Sequence, residues 1–281
     1  MTITICVCGA GTMGSGIAQV AAQSGFDTIL FDVNENVVER SKETVQKNLQ
    51  YLVDKKKISS TEKEEIFSRI KFTNDIRNCT AFVIIEAIIE KEDAKVSLFN
   101  ELAKYNNEEV IFATNTSSLS VSSMQQKIIF PQRVVGMHFF NPAYIMKLVE
   151  VVKGLWTNEE VVKAVVDICR SMKKNPVICK DSPGFIVNRI ARPYYLESLK
   201  IVEEGIASFE EVDEILESTG FKMGPFRLMD LIGMDINLAV TESVYNAFGK
   251  VPRFSPSSIQ IEKVKRNQLG KKTGKGFYNY D

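Results

Sequence analysis

The sequence lacks several features that mark specialised classes of protein. Its 35 basic and 35 acidic side chains cancel, so no excess of charge favours nucleic acid or an anionic membrane as a partner. Its most apolar stretch, residues 81–89, is interrupted by Glu86 and is far shorter than the roughly 18 residues of a transmembrane helix. The N-terminus has no basic segment before an apolar one, so we expect no signal peptide.

Cysteine and histidine are both scarce. The five cysteines are an odd number with irregular spacing, which predicts free thiols in a reducing compartment such as the cytoplasm. Cys6 and Cys8 share one face of the first predicted strand, but a metal centre would need further ligands. We therefore predict that they are small buried side chains and that the protein has no metal site. Histidine occurs only once, as His138.

The N-terminal part of the sequence alternates between short β-branched, apolar runs and segments with helical periodicity. This alternation predicts an α/β fold with a Rossmann-type, doubly wound parallel sheet. The predicted strands are residues 2–8, 28–32, 82–88, 110–118, 133–138 and 148–152. After Pro183 and Gly184 the segments are long and helical, so we predict a dinucleotide-binding domain over 1–184 and an all-helical domain over 185–281.

A glycine motif of the form G-x-G-x-x-G follows the first predicted strand and opens a helix. In that context the glycines allow a tight turn and let a pyrophosphate approach the backbone at the helix N-terminus. Asp32 ends the next strand, where a carboxylate accepts hydrogen bonds from ribose hydroxyls and repels a 2′-phosphate. The pattern favours NAD over NADP as cofactor, with a glycine turn that binds no ligand as the alternative. The predicted cofactor-binding residues of the loop are Gly9, Gly11, Thr12, Met13 and Gly14.

His138 and Glu150 form the second constellation. His138 ends a predicted strand, at the sheet edge where α/β proteins bind ligands, and histidine can exchange a proton near neutral pH. Glu150 lies in the apolar run LVEVV, where an unpartnered carboxylate would be costly to bury. A hydrogen bond from His138 to Glu150 would orient a general base beside the cofactor, although a purely structural histidine stays an alternative.

With these residues in view, the chain resembles the short-chain L-3-hydroxyacyl-CoA dehydrogenases, especially their bacterial 3-hydroxybutyryl-CoA branch. The resemblance covers essentially the whole chain. It rests on GAGTMGSGIAQ (9–19), EAIIEK (86–91), ATNTSSLS (113–120), GMHFFNPAYIMKLVEVV (136–152), DSPGFIVNR (181–189), GPFRLMDLIGMD (224–235) and GKKTGKGFY (270–278). It implies interconversion of (S)-3-hydroxyacyl-CoA and 3-oxoacyl-CoA with NAD(H), and a homodimer formed through the helical domain.

The resemblance also assigns catalytic roles by position. His138 matches the family's catalytic histidine, and Glu150 matches the glutamate that orients it. Ser117 matches a serine near the reacting oxygen of the substrate, and Asn188 an asparagine that contacts the substrate. Without the resemblance, Ser117 could instead satisfy the loop backbone, and Asn188 could be a buried, satisfied amide.

Five further positions carry binding roles in the family. The resemblance places Glu90 and Lys95 near the nicotinamide ribose, and Asn115 beside the nicotinamide. Lys55, with Lys56, matches a basic helix end that contacts the nucleotide part of coenzyme A, although a lysine run is more often a solvated face. Two other functions stay open at this point: a related NAD-dependent dehydrogenase of a hydroxy acid without coenzyme A, and a non-catalytic NAD-binding protein.

Overall fold

A computed structural model describes residues 3–280. The chain divides into two compact units, the first ending at Asp181 and the second beginning at Ser182. The sequence predicts the domain boundary at about residue 184, where the alternation of strands and helices gives way to long helical segments. The first unit is an α/β structure and the second is helical, so the predicted fold class is confirmed.

The first unit is built on one eight-stranded sheet with the order β3-β2-β1-β4-β5-β6-β7-β8. All neighbouring strands are parallel except β6 and β7. The strands are β1 Thr4–Cys8, β2 Asp27–Phe31, β3 Ile70–Thr73, β4 Val83–Glu86, β5 Ile111–Thr114, β6 Val134–Phe139, β7 Leu148–Lys153 and β8 Asn175–Lys180. The order 3-2-1-4-5-6 of the first six strands is that of a dinucleotide-binding sheet.

Two strands of the sheet were not predicted from the sequence. β3 has only four residues and β8 is mostly exposed, and both lie at the edges of the sheet. An edge strand pairs on one side only and needs no continuous apolar run, so the periodicity gave no signal there. The central strands β4, β5 and β6 are buried throughout, as their apolar runs predict.

The antiparallel pair β6–β7 departs from the all-parallel sheet that the sequence predicted. Only residues 140–147 connect these strands, whereas a parallel crossover needs a dozen residues or more. The chain therefore turns back on itself. In the resulting register His138 lies directly opposite Glu150.

The helices of the first unit cover the sheet. They are α1 Thr12–Gln23, α2 Glu35–Asp54, α3 Ser60–Ser68, α4 Glu92–Leu102, α5 Val121–Gln125 and α6 Glu159–Ser171. Local chemistry fixes several of their ends: Asn34 caps α2, and Ser59 forms a capping box with Glu62 at the start of α3. The core between helices and sheet is aliphatic, with Ile5, Ile17 and other residues fully buried.

The second unit consists of helices packed on one aromatic and aliphatic core that includes Phe226 and Met229. Its helices are α7 Val187–Glu203, α8 Phe209–Ser218, α9 Pro225–Ile232, α10 Met234–Ala247 and α11 Ser258–Lys265. α9 and α10 are separate helices because Gly233 between them adopts φ +101°, which an α-helix cannot contain. Within residues 3–280 no helix is both long and apolar enough to span a bilayer.

Candidate active site

A histidine–glutamate pair lies at the end of β6. Nδ1 of His138 is 2.7 Å from Oε2 of Glu150, and both side chains are buried, at 6% and 1% exposure. Residues directly opposite each other on antiparallel strands present their side chains on the same face, so the register itself brings the two together. An ionised carboxylate can only accept, so the Nδ1 hydrogen points at Glu150 and Nε2 is the nitrogen that can take up a proton.

The main chain around His138 is fixed from the neighbouring strand. The side-chain oxygen of Asn115, just beyond β5, accepts a hydrogen bond from the backbone N–H of Phe139 at 2.8 Å. The ring of Phe140 packs on the imidazole, with 4.5 Å between the ring centroids. Asn115 thus lies at the carboxyl edge of the sheet, next to the histidine.

The glycine loop joins β1 to α1 in the geometry that a dinucleotide needs. Gly9 adopts φ +104°, and a Cβ on Gly14 would lie 1.7 Å from the carbonyl oxygen of Gly9, so both positions exclude any larger residue. A Cβ on Gly11 would meet nothing within 4 Å, because this position faces open space. Gly11 is also the N-cap of α1 and makes no side-chain cap, so a phosphate can approach the first-turn N–H groups, which include those of the exposed Thr12 and the half-buried Met13.

Asp32 follows β2 at the same edge of the sheet. Its Oδ2 accepts a hydrogen bond from the backbone N–H of Ala10 in the glycine loop at 2.9 Å, and its Oδ1 accepts one from Asn34 at 3.0 Å. The carboxylate is therefore fastened to the loop that would hold the pyrophosphate. A cavity of about 500 Å³ adjoins the loop, lined by Gly11, Thr12 and residues of α2. These residues fit a dinucleotide cofactor.

A buried ionic network joins β4 to α4, and its central carboxylate was missed in the sequence. Nζ of Lys95 lies 2.6 Å from Oε1 of Glu86 and 3.0 Å from Oε2 of Glu90. Lys95 is 1% exposed and Glu86 is fully buried. Glu86 interrupts an apolar run just as Glu150 does, and that signal would have identified it.

Lys95 holds two carboxylates of different character. Burial raises the pKa of Glu86, and the Lys95 ammonium and the Thr114 hydroxyl oppose part of that rise. Burial acts to raise the pKa of Glu90 as well, but Lys95 and the hydroxyl of Thr116 outweigh it, and the pKa of Glu90 is lowered. Lys95 is enclosed by these partners, so it can influence a ligand only by positioning Glu90, whose side chain is 37% exposed.

Glu90 connects this network to the loop after β5. Its Oε1 accepts hydrogen bonds from the hydroxyl of Thr116 at 2.6 Å and from the backbone N–H of Ser117 at 2.9 Å. The half-buried Ser117 is thereby placed on the loop that also carries Asn115. The structure thus brings Glu90, Lys95, Asn115 and Ser117 together at the carboxyl ends of β4 and β5.

The remaining predicted residues lie elsewhere. Lys55 and Lys56 follow the end of α2 and are exposed, and no ion pair within residues 3–280 includes either one. Nζ of Lys55 lies 5.6 Å from the centre of the Tyr51 ring. Asn188 belongs to the second unit, where it is half-buried in the first turn of α7.

The fold also places a third thiol beside Cys6 and Cys8. Cys79 joins them, and the three Sγ atoms lie within 4.8 Å of one another, all fully buried. The sequence had paired only the first two, because Cys79 comes from the distant segment before β4. Three thiols at this spacing could ligate a soft metal ion. None of the five cysteines is bridged.

Family models match both units. The model for the NAD binding domain of 3-hydroxyacyl-CoA dehydrogenase matches residues 4–182, and the model for the C-terminal domain of the same family matches residues 184–280.

Three relatives illustrate the similarity. The chain is 44% identical to 3-hydroxyadipyl-CoA dehydrogenase of Escherichia coli over 99% of this chain, although it spans only 59% of that protein's length. It is 39% identical to 3-hydroxybutyryl-CoA dehydrogenase of Clostridioides difficile over 99% of both chains. The crystal structure of (S)-3-hydroxybutyryl-CoA dehydrogenase from Ralstonia eutropha superposes with a TM-score of 0.95 and 37% identity, covering 100% of both chains. The chain therefore belongs to the 3-hydroxyacyl-CoA dehydrogenase family of NAD-dependent oxidoreductases.

Proposed function

We propose that this protein interconverts (S)-3-hydroxyacyl-CoA and 3-oxoacyl-CoA with NAD(H), with 3-hydroxybutyryl-CoA and acetoacetyl-CoA as a substrate pair. The observation that carries the proposal is the His138–Glu150 pair at the carboxyl edge of a sheet whose first loop is built for a dinucleotide. Bound NAD⁺ supplies the hydride acceptor. A base is then needed for the hydroxyl proton of the same carbon.

His138 is that base in the proposed reaction. With its Nδ1 hydrogen bonded to Glu150, its Nε2 takes the hydroxyl proton as the hydride leaves the carbon. In the reverse direction the protonated imidazole returns this proton to the carbonyl oxygen. Ser117 and Asn188 are proposed to contact the substrate, on the strength of the family resemblance.

Glu150 is proposed to orient the imidazole and to stabilise its positive charge. We expect Glu150→Gln to lower kcat by about 10- to 100-fold, because the amide keeps the shape but not the charge that favours the imidazolium. Steady-state rates of acetoacetyl-CoA reduction would measure this. The matched control is Glu159→Gln, which changes an exposed carboxylate at the start of α6. Its kcat should stay near that of the wild type. Equal rates in Glu150→Gln and wild type would contradict the assigned role.

Asp32 is proposed to select NADH over NADPH. A 2′-phosphate beside this carboxylate would add like-charge repulsion of several kcal/mol, so we expect kcat/KM to be about 10²–10³-fold lower with NADPH. Asp32→Asn should narrow that ratio, because it removes the charge and keeps an acceptor for the Ala10 N–H. Comparable efficiency of the wild type with both cofactors would refute the prediction.

The function itself is tested by NADH oxidation that depends on acetoacetyl-CoA, followed by the loss of NADH absorbance. The rival dehydrogenase predicts activity on free hydroxy acids without coenzyme A, and a non-catalytic NAD-binding protein predicts none on either. Turnover of acetoacetyl-CoA with no turnover of free acetoacetate is the result we expect. The reverse pattern would overturn the proposal.

The partners and location are proposed on more general grounds. Lys55 and Lys56 are exposed and form no ion pair within residues 3–280, which supports contact with the phosphates of coenzyme A. Exposed apolar side chains of the helical unit, among them Ile190 and Leu231, support a homodimer formed through that unit. Leu231 and Ile232 of α9 also lie on the surface, whereas Leu238 and Val244 of α10 are core residues. Five unbridged thiols support a cytoplasmic location.

A further inference from the structure

The helical unit contains a buried arginine that has no carboxylate partner among residues 3–280. Arg192 on α7 is 3% exposed, and none of the ion pairs found within residues 3–280 includes it. Burial lowers the pKa of its guanidinium to about 10, a value that still leaves the group charged at neutral pH. A buried charge normally has a counter-ion, so this position calls for an explanation.

The hydrogen bonds of Arg192 leave one edge of the guanidinium unused. Nη1 donates to the carbonyl oxygen of Asn237 and to the hydroxyl of Thr241, both at 2.8 Å. Nε is enclosed and has no hydrogen-bond partner, and Nη2 makes no hydrogen bond to any residue of 3–280. Nε and Nη2 form one of the parallel pairs of donors with which arginine grips a carboxylate in a bidentate manner.

Asn237 adds a further donor without a partner. The backbone N–H of Ser257 donates to Oε1 of Gln260, so Nε2 of Gln260 is the atom that donates to Oδ1 of Asn237, at 2.7 Å. This chain of bonds fixes the orientation of both amides, and it leaves Nδ2 of Asn237 buried without an acceptor. We call Arg192 and Asn237 the donor pair. It offers one positive charge and three N–H-bearing nitrogens with no acceptor among residues 3–280, a set of donors that suits an anionic group.

The donor pair lies close along the chain to a proposed substrate contact. Arg192 lies one turn after Asn188 on the same face of α7, a rise of about 6 Å. Asn188 is the proposed substrate contact of this unit. In a six-carbon dicarboxylic acyl chain, three carbon–carbon bonds of about 1.5 Å each place the distal carboxylate about 4–5 Å from the 3-hydroxyl carbon, a separation similar to the rise of one helical turn.

We propose that the donor pair binds the distal carboxylate of a dicarboxylic 3-hydroxyacyl-CoA, such as 3-hydroxyadipyl-CoA. The inference rests on the proposed function and narrows its substrate class. It agrees with the name of the Escherichia coli relative, a 3-hydroxyadipyl-CoA dehydrogenase. A carboxylate from a second protein chain is the competing explanation, and the experiment below separates the two.

The wild-type enzyme provides the first test. Its kcat/KM is measured for 3-oxoadipyl-CoA and for 3-oxohexanoyl-CoA, which have the same chain length and differ in the distal carboxylate. We expect a preference of about 10- to 100-fold for 3-oxoadipyl-CoA, the range of a charged hydrogen bond. A ratio near one overturns the inference while acetoacetyl-CoA turnover leaves the proposed function standing. Absence of turnover with all three substrates overturns both.

Variants of the donor pair test whether it causes the preference for 3-oxoadipyl-CoA. In Arg192→Met the ratio of the two efficiencies should fall to near one, whereas Arg253→Met, an exposed arginine of the same unit, should keep the wild-type ratio. Asn237→Asp places a carboxylate inside the donor pair, so it should raise the Tm and also abolish the preference; it serves if Arg192→Met does not fold. An unchanged ratio in Asn237→Asp, or a change of sedimentation coefficient in Arg192→Met with the ratio intact, overturns the inference.

Discussion

His138→Gln is expected to lower kcat by about 10²–10⁴-fold, the usual contribution of a positioned general acid or base. Glutamine retains polar atoms that can bond to Glu150, but it cannot take up or release a proton. An interaction needed only in the transition state affects kcat and kcat/KM equally, so KM for acetoacetyl-CoA should change little. Steady-state and single-turnover reduction of acetoacetyl-CoA would measure both quantities.

The controls for this variant follow from the geometry. His138 lies at the end of β6, whereas the glycine loop follows β1, so NADH binding measured by fluorescence titration should be close to that of the wild type. The Tm should also change little, because glutamine can keep the hydrogen bond to Glu150. Wild-type turnover in His138→Gln would exclude this residue as the acid or base, and a lost cofactor affinity would point to a structural role instead.

Lys95→Met should have the largest effect on stability. It leaves Glu86 and Glu90 without their shared cation in a site where Glu86 is fully buried, and such uncompensated charge costs about 3–5 kcal/mol. For a unit of this size the Tm should fall by roughly 6–20 °C, as calorimetry would show. Lys104→Met removes an exposed ion pair with Glu101 and should cost less than about 1 kcal/mol.

The loss in Lys95→Met should depend on pH in a defined direction. Without the ammonium, the folded-state pKa of Glu86, already raised by burial, rises further above its unfolded value. A carboxyl whose pKa is raised on folding contributes most below its unfolded pKa and loses that contribution as pH rises through the folded pKa. The variant should therefore be closest to the wild type in acid and farthest from it above neutral pH. A pH-independent difference would show that lost packing, and not charge, is responsible.

The ionic network of Lys95 also shows that a match to a family position does not by itself say whether a side chain can contact a ligand. Family resemblance assigned Glu90 and Lys95 equally to the cofactor side. The structure separates them: Glu90 is exposed enough to meet a ligand, whereas Lys95 is enclosed by two carboxylates. The exposure of Glu90 and Lys95 depends on how α4 packs against β4, and this packing cannot be predicted from the residues next to them in the sequence.

Structural features that depend only on residues close together in the sequence could be predicted from the sequence. The glycine spacing predicted a tight turn between β1 and α1, because steric exclusion at Gly9 and Gly14 is local to one strand, turn and helix. Buried central strands were predicted from their apolar runs. The edge strands β3 and β8 were not, because an edge strand is defined by its single neighbour and not by its own residues.

By itself, the sequence determined that Glu150 needed a partner, since a carboxylate in an apolar run must be paired, and it proposed His138 for that role. Only the tertiary structure decided which partner each buried side chain has. The antiparallel return of β7 sets His138 opposite Glu150, Lys95 reaches Glu86 from a helix, and Cys79 joins two thiols from a distant strand. For Arg192 the sequence indicated nothing, because its neighbours along the chain do not show that folding buries its guanidinium and leaves Nε without an acceptor among residues 3–280. Pairing across a fold depends on register and packing, which are properties of several segments together.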